Sequence, residues 1–415
     1  MLSRKEFFRS AIGLAGLGLL TPTGKAFSSS THLQEDPLPT WKYPDLSLSI
    51  KNPVKIRSVE LLKTQGELLL VVTSEEGVKG ITQCNDRMQN LVSLLKGLVI
   101  PHFVGKDARD VAQLAENAYR LNSNYKYAGM PLWNCIGSVE IAVWDLLGRT
   151  ADKPVYALLG QKLRSSYEVY LSSFDRESAP EKVLEDLKRK LSETSVKGVK
   201  IKIGGRLRNT PEDDARSTKL LNLARKVLGD DVTIYADANG SFDVKDGIKF
   251  GKMLEDIGAD IYEEPLNFED EDGMRQVTKA LKRIKVAGGE QDTSLYRFQR
   301  LAKTRVYDIL QPDVYYNGGI LRTLQVAEIA RQAGIHIAPH TPKADPLAAP
   351  FWQVAAVCPV LYGLQEYPIS FKSIQPDWYT PYVLLDDEGK MVIPDIPGLG
   401  IEYDGDIWKT AEKVV

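Results

Sequence analysis

Asp237, Glu263 and Glu290 stand 26 and 27 residues apart, each where a run of strand-forming residues gives way to a polar loop. That interval is one strand–helix repeat, so a barrel of alternating strands and helices would gather all three carboxylates at one mouth. Three anions held there repel one another unless a hard divalent cation lies between them, and Mg2+ accepts such oxygen ligands. The spacing therefore reads as a metal enzyme.

Strand parity supplies partners for this triad. Side chains at i and i+2 share a face of a strand. Lys200 and Lys202 then point together in VKIKIGG, Asp237 and Asn239 in YADANG, Ile261 with Glu263, Gly288 with Glu290, Gln311 with Asp313, and His336, Ala338 and His340 in HIAPH. Taken singly, each has a plainer reading. A strand-end carboxylate commonly caps a helix, Lys-x-Lys decorates a solvated edge, and a histidine settles into the core. Their occurrence in order on successive strand ends, where barrel enzymes place their chemistry, selects the catalytic reading.

The elements that must position these residues follow from periodicity. Residues 1–35 are set apart as a targeting segment: Met1–Arg9 is basic and Ala11–Leu20 is an apolar run too short to span a bilayer. Ser3-Arg4-Lys5-Glu6-Phe7-Phe8 is similar to a twin-arginine export signal, with lysine in place of the second arginine. The expected destination is the periplasm; the alternative is a cytoplasmic protein with an amphipathic extension. Residues 36–160 read as an α+β capping domain with a Pro-rich N-terminal arm (36–52), a hairpin at Lys55–Leu62 and Leu68–Thr73, and helical periodicity from Ala108 to Leu159. Residues 161–370 repeat strand, loop and helix, with strands expected at 166–173, 198–204, 231–237, 259–264, 284–290, 306–313, 334–340 and 361–366. Eight such strands indicate a TIM-type (β/α) barrel. Residues 371–415 are expected to return to the capping domain.

Composition narrows the partners. A net charge of −2 argues against nucleic acid or an anionic membrane surface, either of which needs a basic excess. Three cysteines without a CxxC pair suggest buried thiols and no disulfide framework.

On these motifs the chain resembles the enolase superfamily, within it the mandelate racemase/muconate lactonizing enzyme-like group, and is similar to acid-sugar dehydratases. The likeness runs from about residue 54 to the end and includes IGSVEIAVWDLLGRTADKPVYALLG (136–160). It implies a modified (β/α)7β TIM barrel under an N-terminal α+β capping domain, working as a homo-oligomer without a membrane span. It implies Mg2+ on Asp237, Glu263 and Glu290, catalysis by the Lys200/Lys202 pair and the Asp313–His340 dyad, and a final-strand glutamate at Glu366. Lys200, Asn239 and Glu366 are the expected substrate contacts.

The chemistry so implied is removal of the hydrogen beside a substrate carboxylate. Bound Mg2+ would act as a Lewis acid on that carboxylate. Lys202 is the expected base and must be neutral. Lys200, about 6.6 Å away along the strand, repels a second ammonium by roughly 2.5 kcal/mol and can itself bind the substrate anion. Asp313 would orient His340 across the mouth, and Glu366 would donate to a carboxylate oxygen if protonated. Removal followed by loss of a β-hydroxyl dehydrates a sugar acid. Removal and return makes a racemase, epimerase or cycloisomerase of a hydroxy or sugar acid. A barrel retained only for carbohydrate binding is the third reading. The loop Lys63-Thr64-Gln65-Gly66-Glu67 is short, so the arm at 36–52, with Trp41, Tyr43 and Lys51, is expected to cover the mouth.

Overall fold

The computed structural model describes residues 37–371 and 376–415, so the expected export signal lies outside the described residues. Alternation of apolar and polar residues produces an antiparallel meander of β1 (Ile56–Thr64), β2 (Glu67–Ser74) and β3 (Lys79–Gln83). The first connection is two residues, Gln65 and Gly66, both at positive φ (53° and 82°), a geometry whose twist matches that of the flanking strands. A single turn, α1 (Val92–Leu94), precedes α2 (Val111–Arg120), α3 (Met130–Ala151) and α4 (Val155–Leu159).

The barrel follows in strict alternation. Its parallel strands are β4 (Ser166–Ser172), β5 (Gly198–Lys202), β6 (Thr233–Asp237), β7 (Ile261–Glu263), β8 (Lys285–Gly288), β9 (Ile309–Leu310), β10 (His336–Ile337) and β11 (Gln365–Pro368). The first seven are followed by α5 (Pro180–Glu193), α6 (Pro211–Leu228), α7 (Val244–Asp256), α8 (Glu271–Ala280), α9 (Leu295–Lys303), α10 (Ile320–Ala333) and α11 (Ala349–Val357). That is the (β/α)7β order. β11 pairs with β4, and a parallel bridge between Ile337 and Leu361 closes the remaining seam. Local sequence sets the helix ends. Thr210 and Asp213 form a capping box ahead of α6, with Pro211 in the first turn.

Two apolar cores result. Tyr170, Tyr235, Ile261, Ala287, Ile309 and Ala338 plug the barrel interior, while the larger core lies between the strands and the helices and under the capping sheet. α3 is buried along nearly all its length. Gly137 on α3 meets Gly318 and Gly319 so closely that a Cβ would lie 2.8 Å from the Gly319 nitrogen. The tail adds β12 (Tyr379–Thr380), β13 (Lys390–Val392), β14 (Glu402–Tyr403), α12 (Ile407–Thr410) and β15 (Glu412–Lys413). β13 pairs with β4 and β15 with β1, so the tail touches the barrel before it reaches the capping sheet. Cys84, Cys135 and Cys358 are buried free thiols. Among the described residues no helix is long and apolar enough to cross a membrane.

Two expectations need correction. On β8, Ala287 and not Gly288 belongs to the interior plug, and a Cβ on Gly288 would strike the Tyr307 ring outside the barrel. Glu290 reaches the mouth because Gly289 adopts φ +106°, which re-aims the chain after the strand. The arm does not cover the mouth. Trp41 Nε1 donates to Leu159 O at 3.2 Å, Tyr43 packs edge-on against Trp144, and Gln325 Nε2 donates to Pro39 O at 3.0 Å. Its aromatic rings found apolar helix surface to bury against.

Candidate active site

Lys202, Asp237 and Glu263 are successive partners across β5, β6 and β7, one row above the interior plug. All the residues expected at the site line one cavity of about 290 Å³: Lys200, Lys202, Asp237, Asn239, Glu263, Glu290, Asp313, His340 and Glu366. A volume at the lower end for ligand pockets suits a small molecule.

Lys200 is the hub of the buried charges. Its Nζ lies 2.9 Å from Glu263 Oε2, 2.9 Å from Glu366 Oε1 and 3.8 Å from Asp237 Oδ2. Burial opposes its charge, yet Glu263 and Glu366 outweigh that and hold its pKa well above the ordinary lysine value, so it stays a cation. Lys202 donates to Asp237 and lies 3.4 Å from Asn239 Oδ1. Burial raises the Asp237 carboxyl, but the two lysines overcome it and keep the group ionised. Glu263 behaves differently although it too meets Lys200. It shares that single ammonium with two other carboxylates, so burial and Asp237 push it up to about 7.

Glu366 accepts from Ser172 Oγ at 2.7 Å. Burial would raise its pKa, but Lys200 and His340 pull it far below the usual carboxylate range. The expected role as a protonated donor is therefore not supported by its surroundings: two neighbouring cations make it an acceptor. Asn239 is also more restricted than expected. Its Nδ2 donates to Asp237 Oδ2 at 3.1 Å and its backbone N–H to Oδ1 at 2.8 Å, so it fixes Asp237.

His340 and Asp313 meet at 2.7 Å through Nδ1 and Oδ2, and His340 Nε2 lies 3.5 Å from Glu290 Oε2. Burial lowers the imidazole pKa, but Glu290 and Asp313 lift it to about 10, giving an imidazolium in this arrangement.

The donor set also bears on the implied divalent cation. Glu263 Oε1 is buried without a hydrogen-bond partner, as is Glu264 Oε1 beside it. Burial, Glu290 and Asp237 push the Glu264 carboxyl well above its ordinary value. Hard oxygens, surplus negative charge and an unpartnered buried oxygen fit a Mg2+ ion. Among the described residues, however, no three acidic side chains converge as a ready cage, and Lys202 engages Asp237. Loading an ion on Asp237, Glu263 and Glu290 requires Lys202 to release Asp237, which is also what a neutral base must do.

Several cavity residues escape sequence reasoning. Arg176, in the loop after β4, donates to Gly204 O at 2.9 Å and to Asn239 Oδ1 at 2.5 Å, tying three barrel loops together. Arg87 reaches in from the capping domain with its guanidinium 4.7 Å from the Tyr316 ring centre, and Tyr316 leans toward His340. Phe174 and Lys343 also line the cavity, and Glu264 lies buried beside Glu263 outside its lining. Only Glu264 carried a signal, as the second member of the acidic pair in IYEEP.

Comparison with known proteins agrees with this geometry. The family described as "Enolase C-terminal domain-like" matches residues 182–407, and the mandelate racemase / muconate lactonizing enzyme N-terminal domain matches residues 46–160. The chain is similar to an arabinonate dehydratase of Saccharolobus solfataricus, 26% identical over 76% of this chain and 81% of the other. It is similar to a D-galactarolactone cycloisomerase of Agrobacterium fabrum, 28% identical over 73% and 80%. Among solved structures it is similar to a mandelate racemase/muconate lactonizing protein from Paracoccus denitrificans complexed with magnesium. That match has a TM-score of 0.79 and 25% identity, covering 87% of this chain and 99% of the other.

Proposed function

Because the chain belongs to the enolase superfamily, in its mandelate racemase/muconate lactonizing enzyme-like branch, we propose that it is a Mg2+-dependent dehydratase that turns a sugar acid into a 2-keto-3-deoxy acid. The observation that carries the proton-abstraction chemistry of this reading is the meeting in one cavity of Lys202, from β5, with the Asp313–His340 pair, set just past β9 and β10.

Held by Asp237, Glu263 and Glu290, Mg2+ would supply Lewis-acid stabilisation of charge on the substrate carboxylate. Lys200, kept cationic by its buried carboxylates, pairs with the same substrate group. Lys202, once off Asp237, takes the hydrogen from C2. His340, oriented by Asp313, donates the proton to the hydroxyl leaving C3, so water departs and the enol relaxes to the ketone. Asp313 holds the imidazole through that transfer. A second reading, an isomerase of a hydroxy or sugar acid, is favoured by the resemblance to a cycloisomerase and uses the same two acid/base groups.

Incubation of the Mg2+-loaded enzyme with a library of acid sugars in D2O separates the two. A 2-keto product trapped by semicarbazide marks the dehydratase, deuterium uptake without it marks the isomerase, and neither with any acid defeats both. We further propose export to the periplasm by the N-terminal segment, and assembly as a homo-oligomer. Cell fractionation and light scattering test these, with cytoplasmic retention or a monomer as the contrary results.

A further inference from the structure

A second cavity, about 620 Å³, adjoins the first and shares Phe174, Pro342 and Lys343 with it as walls. Its other walls come from four places. The β1–β2 turn and the start of β2 give Gln65 and Glu67, β3 gives Gln83, the loop after β10 gives Ala344 and Asp345, and the segment beyond β11 gives Ser370 and Trp378. Because the hairpin turn has only two residues and the arm docks elsewhere, neither fills this space. It is larger than the catalytic cavity and within the range of ligand pockets in its own right. Neither Lys200 nor Lys202 lines it, so it lies beyond the groups that hold and deprotonate the acid.

The lining says what would fill it. Phe174, with 48% of its surface exposed, is an apolar face at the junction of the two cavities. Gln83 is 2% exposed, and its Oε1 is buried without a partner while its Nε2 donates to Glu67 at 3.2 Å. A buried acceptor left unpaired is costly, and a ligand hydroxyl relieves it. The carboxyl groups of Glu67 and Asp345 are pushed upward, first by burial, then for Glu67 by Asp345 and Asp86. Glu67 and Asp345 outnumber Lys343 among its charged walls, which disfavours a second substrate carboxylate. Aromatic surface with amide and carboxyl acceptors instead suits a neutral polyhydroxylated ring.

We propose that the substrate of this enzyme is a sugar acid bearing a neutral glycosyl unit, with the acid on Lys200 and the glycosyl ring in the second cavity. This rests on the dehydratase reading above. The chemistry fixes where the ring is attached. C2 loses its hydrogen to Lys202 and C3 loses its hydroxyl as water with the proton from His340. The glycosidic bond must therefore hang from C4 or beyond, and it survives the reaction unbroken. The enzyme acts on acids cut from, or oxidised at the end of, an oligosaccharide.

The test pairs gluconate with cellobionate, maltobionate and lactobionate, each a 4-O-glycosyl gluconate, alongside the unsubstituted acid library. The Mg2+-loaded wild type is compared with Ser370→Trp, and with Ala344→Phe should the first fail to fold; both positions line the second cavity only. Saturation-transfer NMR reports which ligand protons touch protein, and semicarbazide trapping gives kcat/KM. Saturation of the outer-ring protons, with kcat/KM at least about tenfold above gluconate for one glycosylated acid, supports the proposal, provided both are lost in the filled variants. Saturation confined to the gluconate protons, or turnover of unsubstituted acids with the glycosylated ones excluded, overturns it while leaving the dehydratase reading intact. Outer-ring saturation without keto product from any acid supports the cavity and defeats the dehydratase reading instead.

Discussion

Asp313 divides its two oxygens between the imidazole and the backbone: Oδ2 meets His340 Nδ1 at 2.7 Å, while Oδ1 accepts the backbone N–H groups of Tyr315 and Tyr316 at 2.8 and 2.9 Å. The carboxylate cannot turn away from the imidazole without breaking two backbone bonds. Asp313→Asn keeps the shape but removes the charge that holds the imidazolium and fixes its orientation. It is expected to lower kcat by about 10- to 100-fold with a folded protein, and to shift the acidic group controlling kcat to lower pH. Wild-type activity with an unchanged pH profile would show that the dyad is idle.

The proposed mechanism gives Lys202 and His340 separable tasks, and isotope exchange can tell them apart. With Lys202→Ala, C2 exchange in D2O and keto product should fall together, because no base remains. With His340→Asn, exchange should persist while keto product falls by about 100-fold or more, since general acid assistance is what leaves. Should both activities vanish in both variants to the same degree, the proton steps are coupled and the division of labour is wrong.

The contrast between what the residues announced and what they hid has a physical origin. Asp237, Glu263 and His340 were legible because a charged side chain at the end of an apolar strand has few structural uses, and strand period two fixes its facing. Glu290 reaches the mouth by a route that strand parity does not describe, because Gly289 at φ +106° breaks the alternation just before it. Arg176 lies in a loop and Arg87 in the short 3-10 turn Asp86–Asn90, too brief for a period to relate position to direction, so their entry into the cavity is set by folding partners far along the chain. The docking of the arm is hidden for the same cause. Trp41 and Tyr43 advertise burial, but nothing in their spacing says against which surface.

Glu263 Oε1, buried and unpartnered, predicts that Mg2+ stabilises the fold as well as the reaction. An ion that binds only the native state at 100 times its Kd adds about 2.7 kcal/mol. Thermal unfolding should therefore move upward with Mg2+ in wild type and not in Glu263→Gln or Glu290→Gln. Chelation should abolish turnover, and Mg2+ should restore it. An unfolding temperature indifferent to the ion in wild type would remove the carboxylate triad as its site.

Glu140 joins the capping domain to the barrel, and its protonation should be visible in stability. From α3 its carboxyl accepts the N–H groups of Ile320 and Leu321 at 2.9 and 3.0 Å and Trp144 Nε1 at 2.9 Å. It thereby caps α10, whose own cap residue, Gly319, has no side chain to do so. Burial pushes its pKa up to about 7 despite these donors, against about 4.3 for an unfolded chain. Between those values the native protein keeps a proton that the unfolded chain has lost, so stability falls as pH rises through the window and levels off above 7. Glu140→Gln lacks this titration and cannot accept all three donors. Its deficit relative to wild type should be widest near pH 5 and narrow by on the order of 2–3 kcal/mol toward pH 8. Urea midpoints of the two proteins at pH 5, 6.5 and 8 measure this directly, and parallel curves would mean that Glu140 stays ionised throughout.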